Sequence, residues 1–224
     1  MPHFDIIKKN IPDKTFRTSK IQADFDVKFE HSCEHFVGDI ELPEKWQIGV
    51  IVGNSGTGKS TIAKELFADC YIQHFDYIHK SVVDDMPKVK MEEIEKMFYA
   101  VGFGSVPSWL KSYSVLSNGE KMRVDLARAL LEKDKICFDE FTSVVDRNVA
   151  QTTCIAINKA IKRTDKQLVA VSCHYDIIEW LQPDWVFDTN TMTTNFQCAH
   201  VQRKNSLSEN VGGMNGQSLG DIII

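Results

Sequence analysis

An apolar run from Trp46 to Val52 opens directly into Gly53-Asn54-Ser55-Gly56-Thr57-Gly58-Lys59-Ser60, followed by the helix-forming stretch Thr61-Ile62-Ala63-Lys64-Glu65-Leu66-Phe67. This fits G-x-x-x-x-G-K-[ST] in a strand, loop and helix setting, and no other stretch limits the possible folds as strongly. The glycines let the backbone curl so that successive N–H groups point at a polyphosphate, and the helix adds the positive end of its dipole. Lys59 is placed to reach the β- and γ-phosphates, and the Ser60 hydroxyl to hold Mg²⁺. Thr61 is next in line at the helix start. Glycine-rich turns after strands also occur in chains that bind nothing, but the complete pattern in this setting argues against that reading.

A chain of 224 residues can bury a sizeable core and reads most simply as one α/β domain, residues 1–195, followed by a tail, residues 196–224, that is rich in Asn, Ser, Gln and Gly and expected to be flexible. The composition is that of a globular protein, with 43% hydrophobic and 25% charged residues. A net charge of −5 provides no global basic field for nucleic acid, which is neither supported nor excluded. No run approaches the roughly 18 apolar residues of a membrane span, and the N-terminus lacks the pattern of a secretion signal, so a cytoplasmic location is expected. Six scattered cysteines with no C-x-x-C spacing are expected to be reduced thiols.

Residues 1–20 are polar and mixed. Ile21, Ala23, Phe25, Val27 and Phe29 alternate as in a half-buried strand, and a second strand is expected over Phe36 to Leu42. Between them, His31, Cys33 and His35 have a spacing that puts three metal ligands on one strand face, although a fourth ligand is missing and a turn between strands is the simpler reading. Phe25, Phe29 and His31 are also candidates to stack on an adenine ring. Beyond the phosphate loop, a helix to about Asp69 and a strand over Tyr71 to Ile78 are expected. Met91, Ile94, Met97 and Phe98 then mark a helix with one buried face.

Leu116-Ser117-Asn118-Gly119-Glu120 opens another helix, with Ser117 as N-cap and Glu120 three residues on, as in a capping box. Its hydroxyl and backbone N–H groups make an anion site, though many helices begin this way and bind nothing. Ile136 to Glu140 is a short apolar strand ending in two acids, the place where parallel α/β sheets put their chemistry. There Asp139 is read as holding the Mg²⁺ shell through its waters, and Glu140 as deprotonating an attacking water. Ser143 to Asp146 leads into a helix from about Asn148 to Lys162. The apolar strand Gln167 to Ser172 ends at His174, a candidate γ-phosphate contact, and a last strand covers Trp185 to Asp188.

Gly53–Ser60, Leu116–Glu120, Ile136–Glu140, Ser143–Asp146 and His174 together resemble the phosphate loop, signature, Walker B strand, D-loop and switch histidine of the ATP-binding-cassette (ABC) ATPases, in the same order. The resemblance spans roughly residues 20–190. It implies an α/β P-loop NTPase fold: a mixed β-sheet with flanking helices, N-terminal antiparallel strands and a short helical subdomain. It also implies ATP and Mg²⁺ as cofactors, and a homodimer in which Ser117, Asn118, Gly119 and Glu120 of one copy close on the nucleotide held by the other, with Asp146 at the seam. Asn118 and Glu120 stand where the family usually has glycine and glutamine. The Q-loop glutamine has no clear counterpart, since Gln73 comes early and Ile78 to Asp85 occupies the expected place. Only about sixty residues separate Lys59 from Ser117, shorter than the helical subdomain on which transporter membrane subunits dock, so a non-transport member is the better match. Trp46–Gly53 and Ser81–Pro87 further resemble a bacterial and phage group in which the cassette precedes an acetyltransferase domain, for which the residues after 195 leave no room.

The leading expectation is an Mg²⁺-dependent ATPase that dimerises on ATP and works on an unidentified effector, acetyltransferase-like or other. A transporter ATPase subunit, a P-loop small-molecule kinase and a non-catalytic ATP-dependent dimerisation switch are the alternatives.

Overall fold

The computed structural model describes residues 2–26, 32–72 and 74–196. In chain order these form β1 (His3–Asn10), α1 (Phe16–Asp24), β2 (Ser32–Asp39), β3 (Ile48–Val52), α2 (Lys59–Leu66), β4 (Tyr71–Ile72), α3 (Met91–Ala100), α4 (Val106–Trp109), α5 (Asn118–Glu132), β5 (Lys135–Phe138), α6 (Arg147–Ile161), β6 (Gln167–Ser172), α7 (Ile177–Leu181), β7 (Trp185–Asp188) and β8 (Thr193–Phe196). Short 3₁₀ turns lie at Val82–Asp85 and Tyr113–Val115.

β3 is buried at every position, as a strand must be when both faces of its sheet are covered. It lies inside a six-stranded sheet of order β4-β5-β6-β3-β7-β8, parallel except for β8, which runs antiparallel to β7. Side chains alternate between the two faces. Ile48, Val50 and Val52 join Leu168 and Ala170 in a core with the buried residues of α3, α5, α6 and α7. Ile51 joins Val169 and Val171 in a second core with Ile62, Ala63 and Phe67 after the phosphate loop. Gly49 faces that second core because no side chain fits there: a Cβ would lie 2.0 Å from the Trp185 ring. Phe67 stacks on Trp185 at 6.2 Å and Trp46 meets its edge at 5.5 Å.

β1 and β2 form a separate antiparallel pair, in register from His3 opposite Asp39 to Asn10 opposite Ser32. Phe4 and Phe36 carry this pair into the second core. The expected architecture is therefore present: a mixed sheet, helices on both faces, N-terminal antiparallel strands and a short helical insertion, α3 and α4, before α5.

Four local expectations change. Ile21 to Phe29 does not start as a strand, because Thr15 and Thr18 form a reciprocal cap that begins α1 at Phe16. None of the residues of α1 is buried, so the alternation of Ile21, Ala23 and Phe25 does not report a sheet face. The first strand is instead β1, in the stretch read as polar and mixed. Its side chains alternate between a buried Phe4 and exposed partners such as Ile7, so half of its apolar signal is spent on solvent. The strand expected over Tyr71 to Ile78 stops at Ile72. Phe75 and Tyr77 turn instead onto Arg128 of α5, their rings 4.8 Å and 5.2 Å from its guanidinium. Finally, Trp185 to Asp188 is not the last strand, because Thr193 to Phe196 pairs with it antiparallel as β8.

Candidate nucleotide site

Three strand ends are brought side by side. β6 lies between β5 and β3, all three parallel, with Phe138 opposite Ala170 and Val52 opposite Ser172. Neighbouring strands are about 4.8 Å apart, so Asp139–Glu140, His174 and the loop Gly53–Gly58 emerge on one sheet edge within roughly 10 Å of strand spacing. This is the carboxyl edge where open α/β sheets hold ligands.

The loop from Gly53 to Gly58 connects β3 to α2, which starts at Lys59. Gly58 has φ +85°, and a Cβ there would lie 2.6 Å from the Phe36 ring, so both backbone and space demand glycine. Gly56 opens onto free space, with nothing within 4 Å of where its Cβ would be. Lys59 Nζ donates to the Asn54 carbonyl at 2.6 Å, across the mouth of the loop. Ser60 and Thr61 follow in the first turn of α2. A buttress holds the loop from behind. Thr57 Oγ1 lies 2.6 Å from Thr189 Oγ1 and donates to the Asn54 carbonyl at 2.8 Å, and Asn54 N–H donates to Asn190 Oδ1 at 3.2 Å. Asn190 in turn donates to the Tyr175 hydroxyl at 2.7 Å, one residue from His174.

Asp139 is half-buried and Glu140 exposed. The chain reverses sharply after β5: Glu140 and Thr142 sit at φ +52° and +65°, an uncommon conformation that costs about 1 kcal/mol or more each. Phe141, fully buried between them, and its N–H bond to the Val171 carbonyl at 2.8 Å hold the turn in place. Asp139 Oδ1 accepts from the Glu140 N–H at 2.8 Å, and Oδ2 accepts the Tyr71 hydroxyl. Burial first, and then the neighbouring carboxylate, push the Tyr71 phenol above its ordinary pKa, so it stays a donor. Tyr71, Asp139 and Glu140 line a cavity of about 250 Å³ together with His74, Phe75 and Asp125.

Ser117 caps α5 as expected: its hydroxyl accepts from the Glu120 N–H at 3.3 Å, and Glu120 Oε2 accepts from the Ser117 N–H at 2.9 Å. Glu120 Oε1 accepts from the Ser108 hydroxyl at 2.7 Å. These bonds, that from Ser108 foremost, hold the Glu120 carboxyl below its usual range. Ser117 and Asn118 are exposed at the helix tip, and Gly119 and Glu120 are half-buried. Asp146 is exposed and caps α6 through the Asn148 N–H at 2.8 Å. The next residue, Arg147, pairs with Asp176, two residues beyond His174. That pair depresses the Asp176 carboxyl.

Ser60 and Asp139 both carry hard oxygen atoms at this edge of the sheet and could hold Mg²⁺ there. Among the described residues no group of three His, Cys, Asp or Glu side chains could hold a metal by itself. Of the His31, Cys33 and His35 cluster, His31 lies outside the described residues, and His35 is taken by Asp5 at 2.6 Å. Phe29 and Gln73 are also outside them. Phe25 is 70% exposed at the end of α1. The segment Ile78 to Asp85 closes on itself, with Asp85 accepting from the N–H groups of Ile78 and His79.

No protein-family model matches the chain, and no curated protein matches its sequence. Solved structures do match its fold. A dimeric bacterial ABC transporter cassette superposes with TM-score 0.53 at 16% identity, covering 69% of this chain and 87% of that one. The fold is that of an ABC ATPase cassette. A metal-chelate-type ABC transporter in an inward-facing conformation gives 0.53 at 17% identity, covering 67% of this chain and 71% of that chain. The protein cbiO1 from Clostridium perfringens, part of the ABC transporter complex cbiONQ, gives 0.52 at 18% identity over 63% and 72%. Within this cassette fold, sequence reasoning did not find Tyr71, the Thr189–Asn190 buttress or the Arg147–Asp176 pair. Their partners lie from 29 to 136 residues away, and no local pattern marks them.

Proposed function

We propose that the chain is an Mg²⁺-dependent ATPase whose ATP-bound form is a head-to-tail pair of copies. The observation that supports this best is the meeting of the Gly53–Ser60 loop, Asp139–Glu140 and His174 at adjacent ends of parallel strands. Backbone N–H groups of Gly53–Thr61 and Lys59 would bind the phosphates, and Ser60 and Asp139 would hold Mg²⁺, which when bound offsets charge on the β- and γ-oxygens. Glu140 would accept a proton from water as its oxygen bonds to the γ-phosphorus and the bond to the bridging oxygen breaks, giving ADP and phosphate. His174 would donate to the γ-phosphate.

The exposed tip of α5 would serve the nucleotide of a second copy. Ser117 and the N–H groups of Asn118 and Gly119 would face it, Glu120 would act by fixing the cap, and Asp146 would lie at the seam. A pair that closes on ATP and opens after hydrolysis can drive an effector, because the closed state is favoured only while γ-phosphate contacts last.

Glu140→Gln tests the reading. It should lower ATP turnover by about 10²-fold or more while retaining ATP and shifting the chain to a dimer in gel filtration. A variant that stays monomeric with ATP and Mg²⁺ would refute the head-to-tail pair, and one with undiminished turnover would refute the role of Glu140.

A further inference from the structure

The end of β5 is tied to the helix that follows the phosphate loop by one side chain, Tyr71. β4 pairs with β5 and sets Tyr71 opposite Cys137, two residues before Asp139. From there its hydroxyl donates to Asp139 Oδ2, while the Glu140 N–H at 2.8 Å occupies Oδ1. A carboxylate held at both oxygens has a fixed plane, and each oxygen keeps a second lone pair for another donor. On the other side, the Lys64 ammonium lies 5.3 Å from the Tyr71 ring centroid. Lys64 is on α2, one turn beyond Ser60. The ring therefore spans the gap between the element that carries Ser60 and the strand end that carries Asp139. The ring alone would fill the space beside β5; the hydroxyl adds only the bond to Asp139.

We propose that Tyr71 is a positioning residue that orients Asp139 toward the cation of the nucleotide, so that the gain in ATP affinity on adding Mg²⁺ depends on its hydroxyl. This rests on the reading of Asp139 as the Mg²⁺ residue given above. A free carboxylate must lose torsional freedom when it engages the cation's water shell, whereas one clamped by two donors has lost it already. The clamp acts before nucleotide arrives, since both donors belong to the chain itself.

The test measures binding rather than turnover. Affinity for ATP is determined by calorimetry on the full chain, in excess EDTA and again with Mg²⁺, for wild type, Tyr71→Phe and Asp139→Asn, with melting temperatures recorded. In EDTA the three should bind ATP within about twofold of one another. The Mg²⁺-dependent gain should fall by about tenfold in Tyr71→Phe, the size expected for losing one hydrogen bond to a charged group. It should disappear in Asp139→Asn. Tyr71→Phe keeps the ring and its contact with Lys64, so its melting temperature should stay close to wild type. Loss of the gain in Asp139→Asn but not in Tyr71→Phe would overturn the proposal and leave the ATPase reading intact. An undiminished gain in Asp139→Asn would remove the Mg²⁺ role of Asp139 and the proposal with it. An equal fall in both buffers for Tyr71→Phe would make its role structural and would also overturn the proposal.

Discussion

Asp125 lies on α5, two turns beyond its capped tip, and accepts from two phenols at once: Tyr77 at Oδ1 and Tyr113 at Oδ2, each at 2.7 Å. The two rings are parallel with centroids 3.9 Å apart, and Arg128 lies over Tyr77 and donates to the Asp76 carbonyl at 2.9 Å. One carboxylate thus pins both the segment after β4 and the turn before Ser117 to the same helix. In Asp125→Ala, two half-buried hydroxyls lose their acceptor at about 1–2 kcal/mol each, or about 3 kcal/mol together. With a urea slope of about 2–3 kcal/mol per molar, the unfolding midpoint should fall by about 1 M. Asp125→Asn should cost about 1 kcal/mol, because its oxygen and amide can satisfy one phenol each. The combination Asp125→Leu, Tyr77→Phe and Tyr113→Phe should recover much of the loss, because it leaves no polar atom stranded. Urea titration followed by circular dichroism is the assay. Refutation would be a midpoint for Asp125→Ala within about 0.2 M of wild type, or a combination less stable than that single variant. Burial raises the Asp125 pKa in the fold despite both phenols. A carboxyl shifted upward favours the native state while protonated, so relative to Asp125→Asn the wild type should gain stability below the ordinary aspartate range and lose it as pH rises through the folded value.

Gly49→Ala should destabilise by about 3 kcal/mol by driving a methyl into Trp185, seen as a lower melting temperature and altered tryptophan fluorescence. Glu120→Ala should cost about 1–2 kcal/mol in the same melts by undoing the cap of α5 and leaving Ser108 without its acceptor. The Arg147–Asp176 pair lowers the Asp176 carboxyl, so its stabilisation should be complete above pH about 4 and fade as pH falls through the folded value. The stability difference between wild type and Asp176→Asn across that range checks this. Cys33 and Cys173 are exposed, whereas burial raises Cys70 to about 11 and Cys154 to about 12 and pushes Cys137 up as well. An alkylating agent followed by peptide mapping should mark the first two quickly and the other three only in denaturant.

Much of the candidate site was legible because each of its motifs is local. The phosphate loop, the capped tip at Ser117 and the acids after β5 each need neighbouring residue types: glycines for positive φ, a hydroxyl three residues before a carboxylate, or charge at the end of an apolar strand. The N-terminal region was not legible for the same reason. The cap formed by Thr15 and Thr18 starts a helix that buries nothing, so its apolar residues kept no period tied to burial. β1 and β4 are short or half-exposed edge elements, defined by their partners more than by their own residues.

By itself the sequence determined the fold class and the order of the motifs along the chain, since both follow from local geometry and period. Only the tertiary structure decided which strands are neighbours. That choice places Tyr71 on Asp139, Thr189 and Asn190 behind the phosphate loop, and Asp125 between two tyrosines, because strand order is settled by packing across both faces of the sheet and not by any interaction between residues close in the chain.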